Sequence, residues 1–205
     1  MIAVIDYGMG NMRSLAKALA RVGGEPVVTR DPDVVRTAAR IVLPGVGAFG
    51  QGMENLRAFG LLQVLEEEVL GKRKPFWGIC LGMQLLARSS EEFGMHKGLG
   101  WVPGEVRRFA FPLEARLNVP HMGWNTVTFT RDHPVTGLAR QTDFYFVHSY
   151  VVIPDNAGVH IGVCDYGGPF CAALGRENIV ATQFHPEKSQ REGLAILKNF
   201  CKWDP

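Results

Sequence analysis

The sequence predicts an α/β fold: a mostly parallel open sheet with helices on both faces, then an antiparallel hairpin-rich second half, all in one domain over residues 1–205. Three observations carry this expectation. Up to residue 98, short apolar runs alternate with segments of helical period, and strands apolar on both faces belong to parallel sheets covered by helices. Beyond residue 98, many short β-branched and aromatic runs are separated by turn residues. The composition, 46% hydrophobic and 20% charged over 205 residues, is that of a chain that buries an ordinary core.

The elements follow in order. Residues 2–5 (Ile-Ala-Val-Ile) are the first strand. Asn11 caps a helix whose Leu15, Ala18, Leu19 and Val22 keep the i, i+3, i+4, i+7 spacing, and Gly23-Gly24 end it. Residues 25–29 form a second strand, Asp31-Pro32 opens a short helix, and Ile41-Val42-Leu43 is a third strand. A glycine-rich loop over 44–52 leads to a helix with Leu61, Leu62, Leu65 and Val69 on one side. Phe76-Trp77-Gly78-Ile79 is a fourth strand, running straight into a helix from Gly82. In the second half, 102–109, 126–129, 144–147, 159–163, 171–174 and 179–184 read as strands, and 192–201 as a closing helix with Leu194, Leu197 and Cys201 inward.

Composition also excludes. The net charge is +2, from 22 Lys+Arg against 20 Asp+Glu, and no basic tract exceeds Lys72-Arg73-Lys74, so no nucleic-acid partner is expected. The longest uncharged stretch, 117–130, contains Pro120 and Gly123 and falls short of the ~20 apolar residues of a membrane-spanning helix. Residues 1–6 lack the basic start and small-residue cleavage site of a secretory signal. Cys80, Cys164, Cys171 and Cys201 at unrelated spacings read as free thiols in a reducing cytoplasm; without a close Cys/His pair, neither metal nor other cofactor is expected. Gly8-Met9-Gly10 begins like a dinucleotide fingerprint, but its sixth position is Arg13, which leaves at most a backbone anion nest.

The informative stretch is 75–84, which contains Gly78-x-Cys80-x-Gly82. In such an elbow a strand turns sharply into a helix and lifts one side chain clear at the apex, and the flanking glycines make room. A cysteine at a helix start is a good nucleophile because the positive end of the helix favours the thiolate. The bland alternative is a buried cysteine closing a strand; the two glycines and the strand-to-helix junction argue against it. A cysteine nucleophile needs a base with an orienting group. Of six histidines, only His185 has an acid in fixed register, in Phe184-His185-Pro186-Glu187. Pro186 pushes His185 into extended backbone, where residues i and i+2 share a side, so Glu187 can lie beside the imidazole. The Leu81 N–H, next after the nucleophile, is one donor for an oxyanion, and the loop 44–50 can supply another.

These residues carry a resemblance. Cys80 in Ile79-Cys-Leu-Gly-Met-Gln84, together with the His185/Glu187 motif, is similar to the class I (triad) glutamine amidotransferases, whose fold is flavodoxin-like. Asp6-Tyr-Gly-Met-Gly-Asn11, Pro44-Gly-Val-Gly-Ala-Phe-Gly50, Pro120-His-Met-Gly-Trp-Asn125 and the segment 184–190 resemble, within that class, the glutaminase subunits of imidazole glycerol phosphate synthases, over essentially the whole chain. The resemblance implies a Cys80, His185, Glu187 triad that hydrolyses glutamine through a thioester, with no cofactor. It implies an oxyanion hole from the Gly47 and Leu81 amides, and a substrate pocket from Gly45, Gln84, Glu92, His148, Ser149 and Tyr150. It also implies a heterodimer with a (βα)8-barrel cyclase that receives the ammonia, contacted through Asn11, Trp124, Tyr145 and Lys188. The class motifs alone leave open a glutaminase for another synthase, a stand-alone thiol hydrolase, or a non-catalytic scaffold.

Overall fold

The computed structural model describes residues 1–205, the side chain of Leu113 excepted. Its first half builds in the expected order. Strand β1 (Ile2–Ile5) is buried throughout. Helix α1 (Met12–Arg21) starts where the Asn11 side chain accepts the Ser14 N–H, and buries Leu15, Ala18 and Leu19. Then come β2 (Pro26–Thr29), α2 (Pro32–Thr37, capped by Asp31) and β3 (Arg40–Gly45). Helices α3 (Phe49–Ala58) and α4 (Leu61–Leu65) lead through a π-helical turn, Glu66–Gly71, to β4 (Phe76–Cys80) and α5 (Leu81–Gln84). The second half holds β5 (Ala87–Ser90), β6 (His96–Lys97), β7 (Val102–Arg108), β8 (His121–Phe129) and β9 (Gln141–His148). Strands β10 (Tyr150–Pro154), β11 (His160–Asp165), β12 (Pro169–Arg176) and β13 (Ile179–Thr182) precede α6 (Gln190–Lys202).

One nine-stranded sheet runs β2-β1-β3-β4-β13-β12-β11-β8-β9, and a four-stranded sheet runs β10-β7-β5-β6. The β2, β1, β3, β4 and β13 pairings are parallel, and those from β13 out to β9 antiparallel. The expected parallel and hairpin-rich halves are thus continuous, joined because the last strand inserts beside β4. On one face α1 and α6 pack through Leu15, Leu19, Ile196 and Phe200 on Val4, Val42, Trp77 and Val180. On the other, Val35, Leu56 and Leu65 of α2, α3 and α4 pack on Ala3, Ile5, Ile41, Leu43 and Phe76. Helices therefore cover both faces, as the doubly apolar strands require.

Three expectations change in detail. The glycine-rich loop is shorter, because α3 begins at Phe49 and Gly50 and Gly52 are helical. A Cβ on Gly52 would already touch the Leu81 and Leu85 side chains at 3.4 Å, so glycine lets α3 close on α5. The long helix after it is broken at Gly60, in the left-handed region at φ +68. The helix expected from Gly82 is a single turn, after which the chain leaves to form β5 in the second sheet.

Candidate active site

Strands β3 and β4 pair with Gly45 opposite Cys80, and β4 and β13 pair with Ile79 opposite Thr182. Three adjacent strand ends thus deliver the glycine loop, the cysteine and the histidine motif to one rim, the place where open α/β sheets carry their sites. Cys80 is held at φ +54, a sparsely populated conformation for a residue with a side chain. Glycine is demanded on both sides of it. A Cβ on Gly78 would lie 2.7 Å from the Gly82 carbonyl oxygen, and one on Gly82 would overlap the Leu43 carbonyl oxygen. This is the strained elbow that the spacing predicts.

Cys80 is 6% exposed, and its sulfur lies 3.9 Å from the Val147 carbonyl oxygen and accepts a hydrogen bond from Gln183 Nε2 at 3.6 Å. His185 Nδ1 lies 2.9 Å from Glu187 Oε1, and both side chains are buried. Their pairing is as expected, but its path differs. His185 is extended at φ −98, ψ 100, whereas Pro186–Lys188 is a 3-10 turn that folds Glu187 back onto the ring. The ring itself is fixed by its backbone: His185 N–H donates to Tyr145, and Ser189 Oγ donates to the His185 carbonyl. Nε2 is buried without a nitrogen or oxygen partner, and its neighbour is the Cys80 sulfur. Burial alone would push this imidazole down; the sulfur and the Glu187 carboxylate overcome burial and raise its pKa. A ring held toward the imidazolium between an anionic carboxylate and a sulfur is equipped to shuttle a proton.

A cavity of about 450 Å³ opens over the sulfur. Gly47, Leu81, Gln84, Glu92, His148, Ser149 and Tyr150 line it with Cys80. Gly45 stands behind that wall, packed on the Tyr7 hydroxyl and Leu81. Glu92 accepts the Phe49 N–H at 2.6 Å, and Gln84 donates to the Tyr150 carbonyl at 2.9 Å. Arg108 and Phe93 also line the cavity, and Gln183 lies against the sulfur; no local pattern singles these three out in the sequence.

His148 has both ring nitrogens engaged. Nδ1 meets the Tyr150 carbonyl at 3.0 Å and must donate, so Nε2 accepts from His121 Nδ1 at 3.0 Å, and His121 Nε2 accepts from Asn125 Nδ2 at 3.3 Å. Burial lowers the pKa of His121 and His133 to about 4 and that of His148 to about 3. Since these folded values lie below the unfolded value near 6.5, the unfolded chain binds protons that the native state refuses as pH falls from about 6.5 toward 4. Stability is therefore full above that window and lost through it, by at most about 1.4 kcal/mol per pH unit per histidine and less for His133, which is only partly buried. The raised His185 acts above pH 6.5, outside the window. Urea unfolding at pH 7 and pH 5 should show the lower midpoint at pH 5; equal midpoints contradict the neutral network.

Of the four residues expected on a partner face, Trp124 and Tyr145 are paired in register, their ring centroids 6.3 Å apart, and Lys188 Nζ sits 5.5 Å over the Tyr145 ring. Trp124 is 50% exposed and Met122, on the same side of β8, 62%. Asn11 is spent locally as the α1 cap, and α1 contacts the Pro186–Lys188 turn.

The profile of the family described as glutamine amidotransferase class-I matches residues 3–203. The chain belongs to the class-I glutamine amidotransferases. Within the family it is 52% identical over 204 residues to the imidazole glycerol phosphate synthase subunit HisH of Syntrophotalea carbinolica, covering 98% of each chain. It is 51% identical to that of Geobacter sulfurreducens, covering 97% of each, and 47% identical to that of Rhodospirillum rubrum, covering 100% of this chain and 99% of the relative. A crystal structure of a glutamine amidotransferase superposes with a TM-score of 0.76 over 98% of each chain at 19% identity. The PurLQS structure from Thermotoga maritima gives 0.72 at 16% identity, over 98% of this chain and 97% of that one. At such identities the likeness is one of fold. No helix among the described residues is long and apolar enough to cross a membrane.

Proposed function

We propose that this amidotransferase is the glutaminase subunit of an imidazole glycerol phosphate synthase in the histidine pathway of the cytoplasm. The reading rests on one arrangement: a strained cysteine at a cavity floor, with a buried His185–Glu187 pair of 2.9 Å behind it. Cys80 Sγ attacks the side-chain amide carbon of glutamine. The oxyanion that forms is met by the backbone N–H groups of Leu81 and Gly47. His185 hands its proton to the departing ammonia, leaving a γ-glutamyl thioester, and then takes a proton from the water that releases glutamate and the free thiol. Glu187 holds the ring and stabilises its cationic form, as the acid does in other triads.

Cavity charge fits a free amino acid. Glu92 is placed for an ammonium and Arg108 for a carboxylate, so the substrate's zwitterionic end meets both signs. Ammonia released into bulk water would be protonated and lost as a nucleophile, so it passes to a (βα)8-barrel cyclase docked on the Trp124, Tyr145 and Lys188 face. The names of the HisH relatives, which are subunits of a synthase, support such a partner.

The test is glutamate release by the chain alone, and with the barrel cyclase and its ribonucleotide substrate. Stimulation by that pair is the expected result; activity indifferent to it, or stimulated by a different synthase, overturns the pathway assignment. Trp124→Ala should weaken cyclase binding by roughly 30-fold, the ~2 kcal/mol of a buried aromatic anchor, with an unchanged melting temperature. Titration calorimetry giving wild-type affinity would remove Trp124 from the interface.

A further inference from the structure

Gln183 is fully buried, and it stands two residues before His185 at the end of β13, where its N–H still donates to the Ala172 carbonyl. The same strand end therefore carries two of the groups that meet the Cys80 sulfur, Gln183 and His185; the third is the Val147 carbonyl. A fully buried amide must have its polar atoms matched, and the partners here decide which end of it faces the sulfur. The Tyr150 carbonyl can only accept, so the Gln84 atom 2.9 Å away is nitrogen. That nitrogen also lies 3.2 Å from the Gln183 side chain, which must present its oxygen there. The Gln183 nitrogen is left for the sulfur, at 3.6 Å. From the far side, the Tyr150 carbonyl is held by His148, which is held by His121 and Asn125, and Asn125 Nδ2 is anchored on the Asp165 carbonyl at 2.9 Å. The Tyr150 carbonyl thus accepts from both sides, from His148 and from Gln84, and beyond Gln84 the donors run through Gln183 to the sulfur at the cavity floor.

We propose that Gln183 is a positioning residue for the nucleophile: its side-chain N–H, oriented by Gln84 and the histidine chain behind it, holds the sulfur and favours thiolate over thiol. A hydrogen-bond donor serves the anion, whereas the Val147 carbonyl at 3.9 Å serves only the protonated sulfur. The donor therefore biases the choice between the two forms and fixes the direction of attack. The other titratable groups around the sulfur are His185 and Glu187 beyond β13, Tyr7 beyond β1, His148 of β9, Tyr150 of β10, and Glu92 and Arg108 around the cavity. Replacing residue 183 removes none of them. The inference depends on Cys80 being the nucleophile proposed above.

The experiment is the pH profile of Cys80 alkylation by iodoacetamide, followed by mass spectrometry of the Cys80 peptide, in the full chain bound to its cyclase. Wild type is compared with Gln183→Met, of similar volume without a donor, and Gln183→Glu, which sets a carboxylate at the sulfur. The profile midpoint should rise by roughly one to two pH units in each, the equivalent of one hydrogen bond to a charged group. In glutamate release, kcat should fall about 10- to 100-fold with KM little changed. A role in packing alone would lower activity or the melting temperature and leave the alkylation midpoint where it is. A wild-type midpoint in either folded variant overturns the proposal. If Gln183→Glu does not fold, the Gln183→Met midpoint decides. Alkylation needs no turnover, so this outcome is separate from the parent reading, which fails if Cys80→Ala still releases glutamate.

Discussion

Cys80→Ala abolishes glutamate release in the cyclase complex, with a loss of about 10³-fold or more, the scale on which nucleophile deletions act. The expectation follows from where the sulfur is rather than from its residue type alone. It sits at the floor of the cavity, backed by an imidazole whose remaining nitrogen has no other partner, so no second group can form the acyl bond from that position. The other cysteines offer no substitute. Burial pushes the Cys164 and Cys171 thiols up to about 12, and Cys201 lies in α6 against Gly24, on the α1 side of the sheet. Folding should survive the change, because beside the His185 ring the sulfur gives up only long contacts, to Val147 and Gln183. Melting temperature and cyclase affinity should stay near wild type. Adding His185→Ala to Cys80→Ala should cost little further activity, since residues that act as a unit do not add. Glutamate release by the single variant at more than about a hundredth of the wild-type rate would remove the thioester from the mechanism.

Much of this site was legible because its parts are local. The elbow needs five residues, Gly78 to Gly82, and each glycine has a steric reason that spacing alone can state. His185 and Glu187 are two apart, so their pairing was readable even though the turn that achieves it is 3-10 rather than extended. The first four strands were readable for the same reason: each is a short apolar run bounded by its own caps and turns. What stayed hidden depends on register between distant segments. In the second sheet only β7 was expected: Ala87–Ser90 and His96–Lys97 are short or polar pieces whose only signal is the strand they pair with, and Tyr150–Pro154, apolar and β-branched, follows β9 after a single residue and does not stand apart from it. The strand expected from 126 begins at His121 instead, and takes in Gly123 opposite Phe146 at φ +129. His121 and His148 become partners only because β8 and β9 align them, and Gln183 meets Gln84 across almost a hundred residues. No window of sequence contains those encounters.

Gly82→Ala should lower activity on the order of 10²-fold, although residue 82 touches no reacting atom. The added methyl would fall on the Leu43 carbonyl oxygen of β3. That oxygen cannot retreat, because β3 is held between β1 and β4 and Leu43 is paired opposite Gly78. Neither can the elbow tilt the other way, because Gly78 already packs on the Gly82 carbonyl. What can move is α5, a single turn, and it carries Leu81 and Gln84 with it. Displacing catalytic groups by about 1 Å costs on the order of 10² in rate, and overpacking a closed interior costs about 1–3 kcal/mol of stability. Gly23→Ala separates the two effects. Gly23 also has positive φ, +87, but nothing lies within 4 Å of its added Cβ, so it should lower stability by the ~1–2 kcal/mol of a strained left-handed residue and leave turnover intact. Glutamate release and thermal melts on both variants decide the matter. If Gly82→Ala turns over like Gly23→Ala, the elbow has more give than its contacts allow, and the position of Cys80 is set by something other than the Gly78–Gly82 turn.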